Sequence, residues 1–167
     1  MKMLFLTALL TLALSPALAF GGTIKIPKDE PAATLNIPDS WEPEDADDGV
    51  LAESPDNVAT IFFKAVATEK EMGSLIDDSI DWLTKEHDVK IDEASKSEKD
   101  FEDSGRKWSR ISWDGVSKEW GPAVVGFLFT DLGNGKVLTV TYWISKKDSE
   151  KNLDILAKIF SSVKAVD

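Results

Sequence analysis

The stretch GFLFTDLGNGKVLTVTYWIS, residues 126–145, constrains the fold more than any other part of the chain. Two runs rich in β-branched and aromatic residues flank Asn134-Gly135, a dipeptide that suits the tight turn of a twisted hairpin. The chain must therefore contain an antiparallel sheet. VATIFFKAVA, residues 58–67, adds a strand with apolar residues in both alternating sets, which suits an interior position covered on two sides. ATLNIP (33–38), stopped by Pro38, and GVLAE (49–53) read as further strands, with SPDN (54–57) as a turn. RKWSRISWDG (106–115) reads as a strand, and the polar run 89–105 as an edge strand with its loops.

Two amphipathic segments complete the pattern. In residues 68–88, Thr68 and Glu71 have the spacing of a capping box, and Met72, Leu75, Ile76, Ile80 and Leu83 recur at helical intervals. In residues 146–166, Leu153, Leu156, Ile159, Phe160 and Val163 form one helical stripe. One helix interrupts the strands and another closes them, which argues for an α+β fold with an antiparallel sheet.

The chain has 167 residues, and its first nineteen have the form of an export signal. Lys2 gives a positive start, MLFLTALLTLAL an apolar run, and Ala17-Leu18-Ala19 a small-residue end. Cleavage after Ala19 would leave a mature chain starting at Phe20, and the run is short for a transmembrane anchor. The domain reading is thus a signal peptide at 1–19, an N-terminal arm at 20–32 cut by Pro27 and Pro31, and one domain at 33–167. With no cysteine, the chain has neither disulfides nor a thiol for a lipid anchor, so the expectation is a periplasmic or secreted protein without a stable membrane anchor. Its net charge of −11 opposes binding to nucleic acid.

LNIPDSW (35–41), GVLAESPDNVATIFFKA (49–65), the first amphipathic helix, the hairpin and LDILAKIFSSVKAV (153–166) together resemble the PsbP-like and DcrB-like group of small exported domains. The resemblance covers about residues 33 to 165 and rests on element order and placed residues such as Pro38 and Trp41. It implies an antiparallel sheet with helices packed on both faces, a PsbP-like α/β/α sandwich. Members are mostly accessory or uncharacterised envelope proteins with no shared catalytic set. Several bacterial members look like lipoproteins, a tethering that this chain's lack of cysteine puts in doubt.

The chemistry-bearing residues exclude more than they propose. His87 is the only histidine, which rules out zinc motifs needing two histidines within one chain, and a solvated histidine at a helix end is its expected state. G-x-S-x-G, G-x-x-x-x-G-K and G-x-G-x-x-G are all absent, so neither a hydrolase elbow nor a phosphate cradle is indicated. Asp39, Glu42, Glu44, Asp45, Asp47 and Asp48 crowd one loop, yet aligning an EF-hand on Gly49 puts Pro55 where the bidentate Glu belongs. The expectation is a solvated acidic loop with no tight calcium and no cofactor.

The remaining candidate surface lies in RKWSRISWDGVSKEW, residues 106–120. Alternation puts Trp108, Arg110 and Ser112 on one face of a strand and Ser109, Ile111 and Trp113 on the other. Ile111 and Trp113 read as core. Trp108, Arg110 and Trp120 either form a platform for a ligand or partner, since Trp and Arg are enriched at binding surfaces, or cover the ends of the sheet. The functional expectation is a non-catalytic envelope accessory or binding protein, acting on an envelope protein or a small ligand. An interaction subunit of an envelope complex is the alternative, and a carboxylate-based hydrolase a distant third.

Overall fold

The structure, a computed structural model, describes residues 20–47, 49–118, 121–147 and 150–166. The expected signal at 1–19, Asp48 of the acidic loop and Trp120 of the candidate surface lie outside the described residues.

Ten strands and two α-helices are described. β1 (Phe20–Ile26) pairs antiparallel with β2 (Ala33–Pro38), which also pairs with the short β10 (Lys164–Ala165). The other strands form one antiparallel sheet in the order β3-β4-β5-β9-β8-β7-β6. Its members are β3 (Glu44–Ala46), β4 (Gly49–Glu53), β5 (Ala59–Val66), β6 (Lys90–Asp103), β7 (Arg106–Ser117), β8 (Gly121–Asp131) and β9 (Val137–Ser145). α1 (Glu69–Asp81) follows β5 and passes into a π-type turn at Trp82–Glu86, and α2 (Glu150–Ser161) follows β9.

The centre of the sheet follows from composition. The predominantly apolar β5, β9 and β8 take interior positions, and β5 is held between β4 and β9 with Phe63 opposite Val140 and Ile61 opposite Tyr142. The charged β6 takes the outer edge, where its Lys and Glu side chains blunt an otherwise open ladder. It carries an irregularity between Asp92 and Ser97.

Thr68 caps α1 as its spacing predicts. Its Oγ1 accepts the Glu71 N–H at 3.1 Å, and the Glu71 carboxylate accepts the N–H of Ala67 at 2.7 Å, one residue beyond the usual partner. The hairpin is present, but its connection is longer than two residues. Gly133 and Gly135 both take positive φ, and the Leu132 N–H bonds the Lys136 carbonyl at 3.0 Å. Asn134 is thereby freed for another task, its Nδ2 donating to the carbonyls of Ala32 (3.2 Å) and Val166 (2.8 Å) and so fastening the smaller sheet to the larger.

Side chains alternate along β9. Leu138, Val140 and Tyr142 share an apolar cluster with Ile61, Phe63, Trp108, Leu128, and Leu156 and Ile159 of α2. The alternate set includes Trp143, which packs with Leu83, Ala123 and Val125, and Thr141, whose hydroxyl lies 3.0 Å from that of Ser79 in α1. Both faces of the sheet thus carry packed side chains.

Three expectations are corrected. The stretch read as an arm, residues 20–32, contains the paired strand β1, because the strand ends before Pro27 and its partner needs only the N–H groups ahead of that proline. The acidic loop contains a 3-10 turn at Asp39–Trp41 and the strand β3, with Trp41 fully buried. Leu153 stands out from its stripe at 53 % exposure, while Asn152 beside it is buried and donates to Asp56 at 3.2 Å.

Candidate functional site

The period of two along β7 holds, but the depth of its faces is the reverse of the expectation. Trp108 is 1 % exposed and its ring lies 5.6 Å from that of Phe160 in α2, so it is a core residue and presents no surface. Ile111 and Trp113 are only half-buried, and Trp113 meets Phe127 edge-on at 6.2 Å with the Lys96 ammonium 6.0 Å from its ring. The reason is the covering element. Phe160 closes over Trp108 from α2, whereas on the other face Trp113 sits at the rim of the smaller cluster of Leu83, Val125 and Trp143, with Ile91 of the edge strand β6 only partly buried beside it.

Arg110 is the candidate residue that remains available. It is half-buried, two positions along β7 from Trp108, and lines a groove of about 760 Å³ between α2 and the sheet. The floor is formed by Val124, Leu128, Tyr142 and Ile144, and the helix wall by Leu153, Leu156, Ala157 and Phe160. Such a volume lies in the range of about 300–1,000 Å³ in which ligand pockets fall.

A small residue makes room for the Tyr142 phenol beside the groove. Gly126 of β8 lies between Ser112 of β7 and Tyr142 of β9, and the Tyr142 phenol occupies the space a side chain would need. Its hydroxyl reaches Ser112, which hydrogen bonds to it, and sits within the field of Arg110. Burial pushes the phenol above its ordinary pKa of 10.0, with the Ser112 hydrogen bond and the Arg110 charge working in the opposite direction. The result at neutral pH is a protonated hydroxyl next to a guanidinium.

Charges around the groove are unevenly satisfied. Arg110 Nε is shut off from water and has no hydrogen-bond partner among the described residues, and the same holds for Asp103 Oδ2 at the far end. Glu102 lies beside Asp103, while Lys146 at the opposite end is taken up by Asp114 at 2.8 Å. Among the described residues, Arg110 is therefore a cation at a mainly apolar groove with no ion pair of its own.

A second cavity, of about 240 Å³, lies beneath α1. Leu51, Phe62, Leu75, Trp82 and Trp143 line it, with Asp78 and Lys64 also contributing. Two of its buried hydroxyls, Ser79 and Thr141, face each other at 3.0 Å, so that pair makes no demand on a ligand. His87 packs its ring 4.3 Å from Trp82. In the acidic stretch, Asp45 pairs with Lys28 at 2.6 Å, and no three His, Cys, Asp or Glu residues converge on a metal-sized site among the described residues.

Sequence reasoning reached Arg110 through its strand and missed Tyr142 and Leu153 as parts of one site. The available signal was Gly126, a glycine inside an apolar strand, which marks close approach of another group.

No protein-family model matches the chain, and no curated protein matches it either. Solved structures do, among them the solution structure of cyanobacterial PsbP (CyanoP) from Synechocystis sp. PCC 6803, with a TM-score of 0.54 at 10 % identity, over 93 % of this chain and 98 % of that one. Among the described residues no helix is long and apolar enough to cross a membrane. Antiparallel strands, two helices and this similarity together establish a PsbP-like α+β fold.

Proposed function

We propose that this chain is an exported, non-catalytic binding protein whose ligand enters the groove between α2 and the sheet. The observation that carries the reading is Arg110: a guanidinium beside the Tyr142 hydroxyl, in an apolar slot, with its Nε dry and unpartnered. Few polar groups converging in a mainly apolar concavity is the usual form of a small-molecule site.

The architecture proposed is a sandwich with α1 and α2 on opposite faces. It is supported by the contact of Ser79 with Thr141 and of Leu156 and Ile159 with the cluster holding Val140 and Tyr142. Kinship with DcrB-like domains rests on the same element order, and placement in a periplasm or outside the cell rests on Lys2, the apolar run and Ala17-Leu18-Ala19. The experiment is native purification of the exported chain from its own envelope, followed by solvent extraction and mass spectrometry. Organic material that accompanies the native chain and is lost with Leu153→Glu at the mouth of the groove supports the reading. A stoichiometric protein partner with an empty groove would favour an interaction subunit instead.

A further inference from the structure

The groove has a direction, and its chemistry is graded along it. Asp103 and Glu102 mark one end, Arg110 and Tyr142 the middle, and Val124, Ile144 and Leu153 the other reach, with Lys146 already held by Asp114. An anionic group is repelled from the first end and, among the described residues lining the groove, meets Arg110 as the cation without an ion pair. From the level of Arg110 to that of Asp114, which faces Val124, four residues of β7 span about 13 Å at roughly 3.3 Å each.

We propose that the groove takes an elongated organic monoanion, with a carboxylate on the Arg110 guanidinium and Tyr142 hydroxyl and an apolar body running about 13 Å beneath α2 toward Leu153. The planar fork of arginine suits a carboxylate, and the phenol supplies a further donor. A single negative charge fits better than two. Glu102 and Asp103 repel a dianion about twice as strongly, and among the described lining residues Arg110 alone answers it without an ion pair of its own. The exposure of Leu153, against the burial of Leu156 one turn on, leaves an apolar surface at the mouth where such a body would end. This assignment rests on the groove being the binding site.

The test is calorimetric titration of the mature chain with decanoate, decyl phosphate and decyltrimethylammonium, each below its micellar concentration. Decanoate is expected to bind, and Arg110→Leu to weaken it roughly ten- to hundredfold, the value of a hydrogen bond to a charged group. Arg110→Lys, which keeps the charge without the fork, should recover part of the loss. Equal decanoate binding by native and Arg110→Leu chains, tighter binding of decyl phosphate, or preference for the ammonium probe would each overturn the proposal. If no probe binds, the ligand class falls. The extraction experiment then decides separately whether the groove binds at all, since material lost with Leu153→Glu would preserve that reading.

Discussion

The Tyr142 hydroxyl lies where a side chain at position 126 would have to go: a Cβ on Gly126 would come within 2.9 Å of it. The same Cβ would stand 2.2 Å from the Ile111 carbonyl oxygen and 2.8 Å from the Ser112 Cα, both backbone atoms of the neighbouring strand. Gly126→Ala should therefore destabilise the fold by about 1–3 kcal/mol, the usual range for overpacking. Denaturant melts measure it, and a variant as stable as the native chain would mean that β7 and β8 can part at no cost.

Tyr142 is the single tyrosine of the chain, so its ionisation can be followed by absorbance. Burial holds its pKa above 10.0, opposed by the Ser112 hydrogen bond and the Arg110 charge. Between the unfolded pKa of 10.0 and the higher folded value, the native state keeps a proton that the unfolded chain has lost. Stability from this group is therefore complete below pH 10.0 and falls as pH rises through the folded pKa. Arg110→Leu should move the tyrosine transition to still higher pH. A transition that stays in place would show that the guanidinium does not act on the phenol.

The tryptophans of β7 separate by depth. Trp108 is enclosed by the main cluster and Phe160, so Trp108→Ala should cost about 3–5 kcal/mol. Trp113 is half-buried on the smaller cluster, and Trp113→Ala should cost about 1–2 kcal/mol, because less apolar area returns to water. Urea midpoints of the two variants check the order.

Elements whose residues alone determine them were legible in the sequence. β2 stops at Pro38, Thr68 and Glu71 open α1, and the apolar runs on either side of Asn134 form β8 and β9. Period-two reading also sorted β7 into its two faces. It could not rank them, because alternation records which side a residue takes and not what lies over it, and Phe160 arrives from 52 positions beyond Trp108. The groove was illegible for the same reason: Arg110, Leu128, Tyr142 and Leu153 come from three strands and a helix, and only Gly126 beside it announced a close approach. Asn134 read as a turn former, whereas its amide group is used to tie β2 and the C-terminal end to the hairpin.

That tie is testable by itself. Asn134→Ala removes two donated hydrogen bonds, to Ala32 and Val166, and the bond its Oδ1 accepts from Lys136 at 3.2 Å. Partly exposed bonds of this kind contribute about 0.5–1.5 kcal/mol each, so a loss of about 1.5–4.5 kcal/mol is expected. Hydrogen exchange should rise in β1, β2 and β10 before it rises in β5 and β9. Uniform acceleration would mean that the smaller sheet does not open independently.

α2 offers the sharpest contrast between a residue kept for the fold and one left to the groove. Leu156 is 4 % exposed in the main cluster, and Leu156→Ala should cost about 2–5 kcal/mol through the cavity it leaves. Leu153 belongs to the same periodic stripe yet is 53 % exposed, because Asn152 takes the inward position at this end of the helix through its bond to Asp56. Leu153→Gln should therefore change stability by no more than about 0.5 kcal/mol, the range of an ordinary surface substitution. Thermal melts of the two variants check the difference. A Leu153→Gln chain damaged as much as Leu156→Ala would show that residue 153 is part of the core, and the open mouth of the groove would then have no basis.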